Sequence, residues 1–400
     1  ENSTGANVRG DLNNILDAIL TMNSGAAEPA YRKAYTFWAD TGNNLLKMRN
    51  SANDGWIDLR TLTGGVTSTA DATINSLTVG KGANSATGNT VLGESALDDS
   101  VTGTNNTAIG KNTLSALTSA NTCTAVGSGA LEANTTGGNN VAVGADALDA
   151  NTTGGNNVAI GKNALGANST AGDNTAVGNG SLFANTTGTR NTAVGANALD
   201  ANTTANDNVA VGYNAGGANT SGASNTFVGS ETGEDTTTGN SNAAFGKRAL
   251  YQNSTGGNNT AIGKDALYEN TTASNNTAVG TDSLQATTTG GDNTAVGFEA
   301  LKSNTTGLYN VAVGLQALEK NTSANGNSAL GYQALEANTT GASNTAVGLN
   351  ALFANTTANN NTALGLGALT NNSTGAANVS VGTNALDANT TASNNVAVGY

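Results

Sequence analysis

The chain has 400 residues, among them 53 glycines, one proline, one cysteine and no histidine. The lack of histidine excludes Ser-His-Asp and Cys-His catalysis and any metal site built on histidine. A net charge of −13 without a basic block is unfavourable for binding nucleic acid or an anionic membrane. No apolar run reaches the roughly 18 residues that a bilayer-spanning helix needs.

Residues 1–25 carry a helical pattern. Apolar residues alternate spacings of four and three along this segment, which is the spacing of a coiled-coil face. They are Val8, Leu12, Ile15, Ile19 and Met22. We therefore predict a short N-terminal helix that ends at residues 23–25 and that joins three chains locally.

The next segment, 26–62, has the composition of a small β-meander. Strands are predicted over 34–39, 45–49 and 56–61, because turn-forming Gly, Asn and Asp separate these three apolar or aromatic runs. Residues 63–88 are predicted to be a polar linker that includes a lead-in strand over 74–80.

From residue 89 to residue 400 the sequence repeats with a strict period. One unit, Asn140–Asn156, reads NVAVGADALDANTTGGN, and one glycine recurs at every seventeenth residue from Gly93 to Gly399. Seventeen residues with two or three glycines cannot hold a helix pair, whereas a β-branched triplet followed by Gly and Asn suits a short strand and turns. The predicted fold class is mainly β, a parallel β-solenoid or β-roll of 17-residue coils.

We name each column of equivalent residues after its member in the unit Asn140–Asn156. The columns expected to carry the structure are those of Asn140, Ala142, Val143, Gly144, Leu148, Asn151 and Gly154. With a stacking distance of about 4.8 Å, the array predicts a rod roughly 86 Å long. The Asn140 column should form a ladder of side-chain amides, and the Val143 and Leu148 columns a continuous apolar spine.

Each predicted coil buries little apolar surface for the number of residues it orders. Sharing a core among chains would relieve this imbalance, and the nearly constant Ala142 column suits close backbone approach at a threefold axis. We therefore expect a homotrimer. Cys123, which stands in the Asn140 column, is expected to be a small buried residue.

The N-terminal residues resemble a module of bacteriophage tail fibre proteins. The resemblance rests on RGDLN at 9–13, YTFWAD at 35–40, LKMRN at 46–50, DGWI at 54–57 and DATINSLTVG at 71–80. It implies a virion tail fibre whose N-terminal side attaches to a tail or baseplate protein. A distal region would then bind a host surface receptor, expected to be a glycan. Because the chain ends one residue into a new coil, we expect a longer protein with a distal tip.

The repeats resemble the head repeats of trimeric autotransporter adhesins, which carry a similar Ser-Val-Ala-Ile-Gly signature. This resemblance implies a homotrimeric left-handed parallel β-roll. It keeps open a second interpretation, in which the protein is a bacterial trimeric adhesin or an extracellular surface filament.

A third interpretation is a solenoid that binds ice or glycans along its length. Paired threonines recur in most units, and aromatic rings that can stack on sugars are scattered through two columns. The candidate glycan contacts are Tyr213, Phe298 and Tyr332, one residue after the repeat glycine, and Tyr251 and Tyr268, five residues after it. Phe183 and Phe353 also stand five residues after the repeat glycine.

We predict no catalytic, cofactor-binding or metal-binding residue and do not expect an enzyme. Catalytic groups usually lie on loops that a scaffold positions, and the repeat has no insertion that would provide such a loop.

Overall fold

The computed structural model divides the chain into two units, Glu1–Gly80 and Lys81–Tyr400. It describes residues 26–28, 37–43, 45–52, 54–61, 71–74, 77–82, 85–99 and 101–400. The predicted N-terminal helix over 1–25 lies outside these residues. Within the described ranges there is no α-helix, and hence no helix that could cross a membrane.

Twenty-four strands account for the regular structure of the described residues. Five belong to the first unit: β1 (Phe37–Asp40), β2 (Leu45–Arg49), β3 (Trp56–Thr61), β4 (Ala72–Ile74) and β5 (Leu77–Gly80). Nineteen belong to the second: β6 (Thr90–Gly93), β7 (Thr107–Ile109), β8 (Thr124–Val126), β9 (Val141–Val143), β10 (Val158–Ile160), β11 (Thr175–Val177), β12 (Thr192–Val194), β13 (Val209–Val211), β14 (Thr226–Val228), β15 (Ala243–Phe245), β16 (Thr260–Ile262), β17 (Thr277–Val279), β18 (Thr294–Val296), β19 (Val311–Val313), β20 (Ser328–Leu330), β21 (Thr345–Val347), β22 (Thr362–Leu364), β23 (Val379–Val381) and β24 (Val396–Val398).

The first unit contains a three-stranded antiparallel sheet in the order β1-β2-β3. Strands β2 and β3 coincide with two predicted strands. Trp38 is buried, and its ring centroid lies 5.3 Å from that of Trp56. The side chain of Asp40, also buried, accepts a hydrogen bond from Asn43 Nδ2 at 2.8 Å and pairs with Lys47 Nζ at 2.9 Å. These two partners hold the pKa of Asp40 at about 2, below its ordinary value.

The lead-in segment is not one strand, so the prediction of a single strand over 74–80 is wrong. β4 pairs antiparallel with β5, with Ile74 opposite Leu77. The chain therefore reverses direction between these two residues. In the sequence, the two residues between β4 and β5 are Asn and Ser, which are turn-forming residue types.

The second unit confirms the predicted solenoid. Strands β6 to β24 pair consecutively, each parallel to the next and shifted by one repeat; Ala142, for example, lies opposite Ala159, and Ala159 opposite Ala176. The coils are 17 residues long and make about 18 turns. Equivalent residues therefore stack in columns along the whole array.

Alternation along the short strand decides what lies inside a coil. The central alanine, such as Ala142, is fully buried, while Val141 and Val143 on either side of it are only half-buried. The prediction that the Val143 column belongs to an internal apolar spine is therefore wrong. In a strand, successive side chains point to opposite faces. The spine consists of the columns of Ala142, Ala147 and Leu148.

The position of the alanines also removes one argument for a trimer. The Ala142 column faces the interior of its own coil, where it packs in the cluster that contains Leu148. It does not form an external surface at which a second backbone could approach. The small residue is needed because the coil is too narrow there for a larger one.

Two asparagine ladders run through the interior. In the predicted ladder, Asn140 Oδ1 accepts a hydrogen bond from the backbone N–H of Asn157 at 2.9 Å, and Asn140 Nδ2 donates one to the Gly154 carbonyl at 2.8 Å. A second ladder joins the Asn151 column, where Asn168 Nδ2 donates to Asn151 Oδ1 at 2.9 Å. Because the side chains satisfy buried backbone groups and one another, these polar columns can lie in a dry core.

The conserved glycine of each coil is required by both conformation and space. Gly144 has a φ of 142°, and a Cβ built on it would lie 2.5 Å from the carbonyl oxygen of Gly161 in the next coil. The sequence did not predict the backbone conformation of the core leucine. Leu148 has a φ of 54°, in the left-handed region that residues with branched side chains rarely adopt. This conformation directs a large side chain into the core from a tight turn.

Two consecutive coils replace the core leucine by Gly216 and Gly233. Phe227, which replaces an alanine of the Ala142 column, is fully buried between them. A Cβ built on Gly216 would lie 2.8 Å from the Phe227 ring, and one on Gly233 would lie 2.4 Å from it. One phenylalanine therefore occupies the space of two leucines, and the interior stays filled without any change in coil length.

Candidate functional site

The principal exposed feature of the solenoid is the outer strand face, formed by the Val141 and Val143 columns. Every member of the Val143 column is Val, Ile, Leu or Phe, and the Val141 column holds mainly Thr and Val. Alternation points both columns away from the core, so these large side chains are half-exposed; Leu330 is 51% exposed. An apolar column that continues along a whole rod is unusual for a surface that contacts only water.

A second exposed apolar feature lies in the distal part of the array, in the Ala145 column. We call it the apolar stripe; its members are Phe298, Leu315, Tyr332, Leu349 and Leu366, each 41–50% exposed. In the proximal coils the same column holds mainly charged and polar residues, with Lys111 Nζ paired to Glu94 Oε1 at 3.3 Å. The stripe lies two residues along the chain from the Val143 column, so it widens the apolar surface in five consecutive coils.

The five predicted glycan contacts do not come together. Phe298 and Tyr332 belong to the apolar stripe, and Tyr213 lies several coils away, 52% exposed. The rings of Tyr251 and Tyr268 stack on each other, with centroids 5.1 Å apart and planes inclined by 9°. The Arg248 guanidinium also lies 5.2 Å from the Tyr268 ring. These contacts cover ring faces that a sugar would need.

Sequence reasoning missed a concave site beside Phe183, which we call the Phe183 pocket. It has a volume of about 210 Å³ and is lined by Asn163, Asn179, Gly180, Phe183, Asn197 and Asp200. Burial raises the pKa of the Asp200 carboxyl above its ordinary value. The signal in the sequence was the coincidence of an aromatic residue with two glycines, Gly166 and Gly180, in columns that usually hold larger residues.

The threonine columns that suggested ice binding are partly engaged in the fold. Thr135 Oγ1 donates to the Thr152 carbonyl at 3.0 Å, and Thr152 Oγ1 donates to the Ser169 carbonyl at 3.0 Å. This column thus links successive coils through hydrogen bonds parallel to the axis. Only the second column, that of Thr153, is left as an exposed array of hydroxyls.

Cys123 is buried, as predicted. Its amide donates to Asn106 Oδ1 at 2.9 Å, and its sulfur lies 3.3 Å from the Gly137 carbonyl, where an asparagine side chain would donate. Burial raises the pKa of the thiol. A buried, protonated thiol is a weak nucleophile.

The described residues contain no group of three or more His, Cys, Asp and Glu side chains arranged to hold a metal ion. Comparison of the chain with known proteins found no matching family model and no matching curated protein.

Proposed function

We propose that the chain forms the shaft of a homotrimeric fibre, a bacteriophage tail fibre that holds a host-recognition region away from the virion. The observation that carries this proposal is the outer strand face. It follows all the coils, is apolar in one of its two columns without interruption, and would be covered if parallel copies packed side by side.

The size of the outer strand face supports self-association. A face two side chains wide, along a rod of about 86 Å, has an area of roughly 1,000 Å². A stable interface takes about 800 Å² from each partner, so this face is large enough for one such interface. In a second copy packed parallel to the first, the side chains of successive coils would repeat at the same spacing along the axis as those of the face that they cover.

The regularity of the core supports a mechanical role. Interior amide ladders and stacked small side chains give each coil the same contacts with its neighbours, which is the property of an extended repeat structure. A stiff shaft increases the reach of a distal binding region, and several copies at its end bind a surface more strongly than one. The resemblance of the N-terminal residues to tail fibre modules supports attachment to the tail at that end.

Self-association is tested by the mass of the particle in solution, measured by light scattering or sedimentation. We expect three times the mass of one chain. The double variant Leu330→Glu/Leu364→Glu places charges in the outer strand face and should dissociate the particle while the circular dichroism stays unchanged. Tyr309→Glu is the control, because Tyr309 is 63% exposed but stands in a different column. A folded monomer in the parent would contradict the proposal.

The fibre role is tested by localisation. Antibodies raised against the solenoid should label the tails of virions that carry the gene, as seen by immunoelectron microscopy. Labelling of a bacterial surface in the absence of virions would instead support the adhesin or filament.

A further inference from the structure

The Phe183 pocket arises because two glycines stand where neighbouring coils have side chains. Gly180 belongs to the Asp146 column, in which Asn163 and Asn197 precede and follow it, so a gap opens between the two asparagines. A Cβ built on Gly180 would lie 2.9 Å from Asn197 Oδ1. Next to this gap, the Phe183 ring lies over Gly166, where a Cβ would come within 3.0 Å of it.

The side chains around the pocket have the character of a site for a neutral polar ligand. Phe183 is 47% exposed and supplies an aromatic surface. Asn163, Asn179 and Asn197 supply amides that both donate and accept hydrogen bonds, and Asp200 supplies a carboxyl group. Among the described residues, none donates to or accepts from the side-chain amides of Asn163 and Asn197, so both are available to a ligand.

This combination discriminates between ligand classes. Small-molecule sites typically join an aromatic or apolar wall to a few convergent polar groups. A carboxyl group and a net charge of −13 disfavour anions, and one ring is a poor cage for an organic cation. A pyranose ring has a C–H face that packs on an aromatic ring and hydroxyls that bond to amide and carboxyl groups. The volume of about 210 Å³ fits one such ring.

We propose that the Phe183 pocket binds one neutral sugar residue of a glycan, part-way along the shaft. In the proposed arrangement the Phe183 ring packs against the C–H face of the sugar, and Asn163, Asn197 and Asp200 bond its hydroxyls. The site is complete within a single chain. It therefore adds a lateral contact to the structural role of the shaft and does not depend on the number of chains in the fibre.

The structure provides a variant that closes the pocket without disturbing the fold. Gly180 has a φ of 65°, and the asparagines one coil away have φ values of 57° and 54°. Gly180→Asn therefore places in the gap a residue that its own column already accepts. Gly367→Asn is the matched control: Gly367 stands in the same column with a φ of 62°, but Thr370 occupies the place equivalent to Phe183.

The experiment uses saturation-transfer NMR on the full chain with the methyl glycosides of glucose, galactose, mannose, N-acetylglucosamine and N-acetylgalactosamine as probes. We expect at least one probe to bind the parent and the Gly367→Asn control with equal affinity. Gly180→Asn and Phe183→Ala should each weaken that binding about tenfold or more. Unchanged solution mass and circular dichroism in Gly180→Asn show that a loss comes from the pocket.

Three outcomes would overturn the proposal. The first is that none of the five glycosides binds the parent, and the second is that binding persists in Gly180→Asn. The third is that tetramethylammonium binds the pocket more tightly than every sugar, which would make it a cation site. None of these outcomes depends on whether the fibre is trimeric, so the solution mass tests the proposed function separately.

Discussion

The β-meander of the first unit and the solenoid of the second are stabilised in opposite ways. In the meander each contact occurs once: Asp40 pairs with Lys47, and Trp38 packs against Trp56. In the solenoid the same neutral contacts, amide to amide and alanine to leucine, recur in most coils. A unique contact has no substitute when it is lost, whereas a repeated one can be replaced by a different residue that fills the same space.

Phe227 illustrates that tolerance. The two coils around it lack the core leucine at Gly216 and Gly233, yet they keep the 17-residue length and the parallel register. The solenoid therefore constrains coil length and interior volume more strictly than the identity of each interior residue. Four predictions test this contrast, beginning with the largest expected effect.

Deleting Ala337 alone should disrupt the solenoid more than deleting the complete unit Asn327–Ser343. The single deletion leaves a 16-residue coil, so either the strand register or the Asn338 ladder position is lost. We expect local destabilisation of about 4 kcal/mol or more, measured by hydrogen exchange in the surrounding coils. The unit deletion should keep protection close to that of the parent. Equal protection in the two variants would mean that the column assignment is wrong.

Phe227→Ala should destabilise the solenoid by about 3–5 kcal/mol, because it leaves a cavity in coils that already lack two leucines. The triple variant Phe227→Ala/Gly216→Leu/Gly233→Leu restores the residues of the regular coils and should recover most of that loss. Denaturant unfolding followed by circular dichroism measures both effects. Gly216→Leu in the parent should be destabilising because its Cβ meets the Phe227 ring. A neutral result there would refute the compensation.

Cys123→Asn should stabilise the solenoid by about 1 kcal/mol, the net value of a typical buried hydrogen bond. The Oδ1 of an asparagine at this position would accept a hydrogen bond from the backbone N–H of Asn140, as Asn140 Oδ1 does from the backbone N–H of Asn157. Cys123→Ala, which supplies no acceptor, serves as the control. A thermal melt compares the three proteins. If Cys123→Asn melts no higher than Cys123→Ala, the ladder contributes less than we infer.

Acid should destabilise the meander more than the solenoid. The pKa of Asp40 is about 2 in the folded meander, so its ionised form stabilises the fold above the unfolded value of about 4. That stabilisation is lost as the pH falls from about 4 towards 2. In the solenoid, burial raises the pKa values of Asp149, Asp200 and Asp235, so protonation at falling pH relieves an unfavourable burial. This gain opposes the loss at Asp207 and Glu299, whose pKa values are lowered by hydrogen bonds from Arg190 and Lys302.

Both tryptophans of the chain lie in the meander, so tryptophan fluorescence reports the acid response of the meander and not that of the solenoid. Tryptophan fluorescence should show a loss of denaturant resistance in the meander between about pH 4 and pH 2. Circular dichroism should show no corresponding loss in the solenoid. The Asp40→Asn variant should flatten the fluorescence response, and a parent response that survives this substitution would assign the acid sensitivity to another group.

The sequence alone determined the repeat length, the solenoid class, the burial of the Leu148 column and the amide ladder at Asn140. Strict periodicity carries this information because identical residues in identical coils must stack. The strands β2 and β3 could also be predicted from the sequence, because glycine, asparagine and aspartate mark the turns around them.

Only the tertiary structure decided which residues face inward within a coil. The strand is three residues long, so the pattern Thr-Ala-Val does not by itself tell whether alanine or valine lies inside. The narrow interior selects alanine, and this choice turns the Val143 column outward. The Phe183 pocket and the exchange of two leucines for Phe227 depend in the same way on neighbours one coil apart. Such contacts are fixed by the stacking of the folded chain rather than by any local stretch of residues.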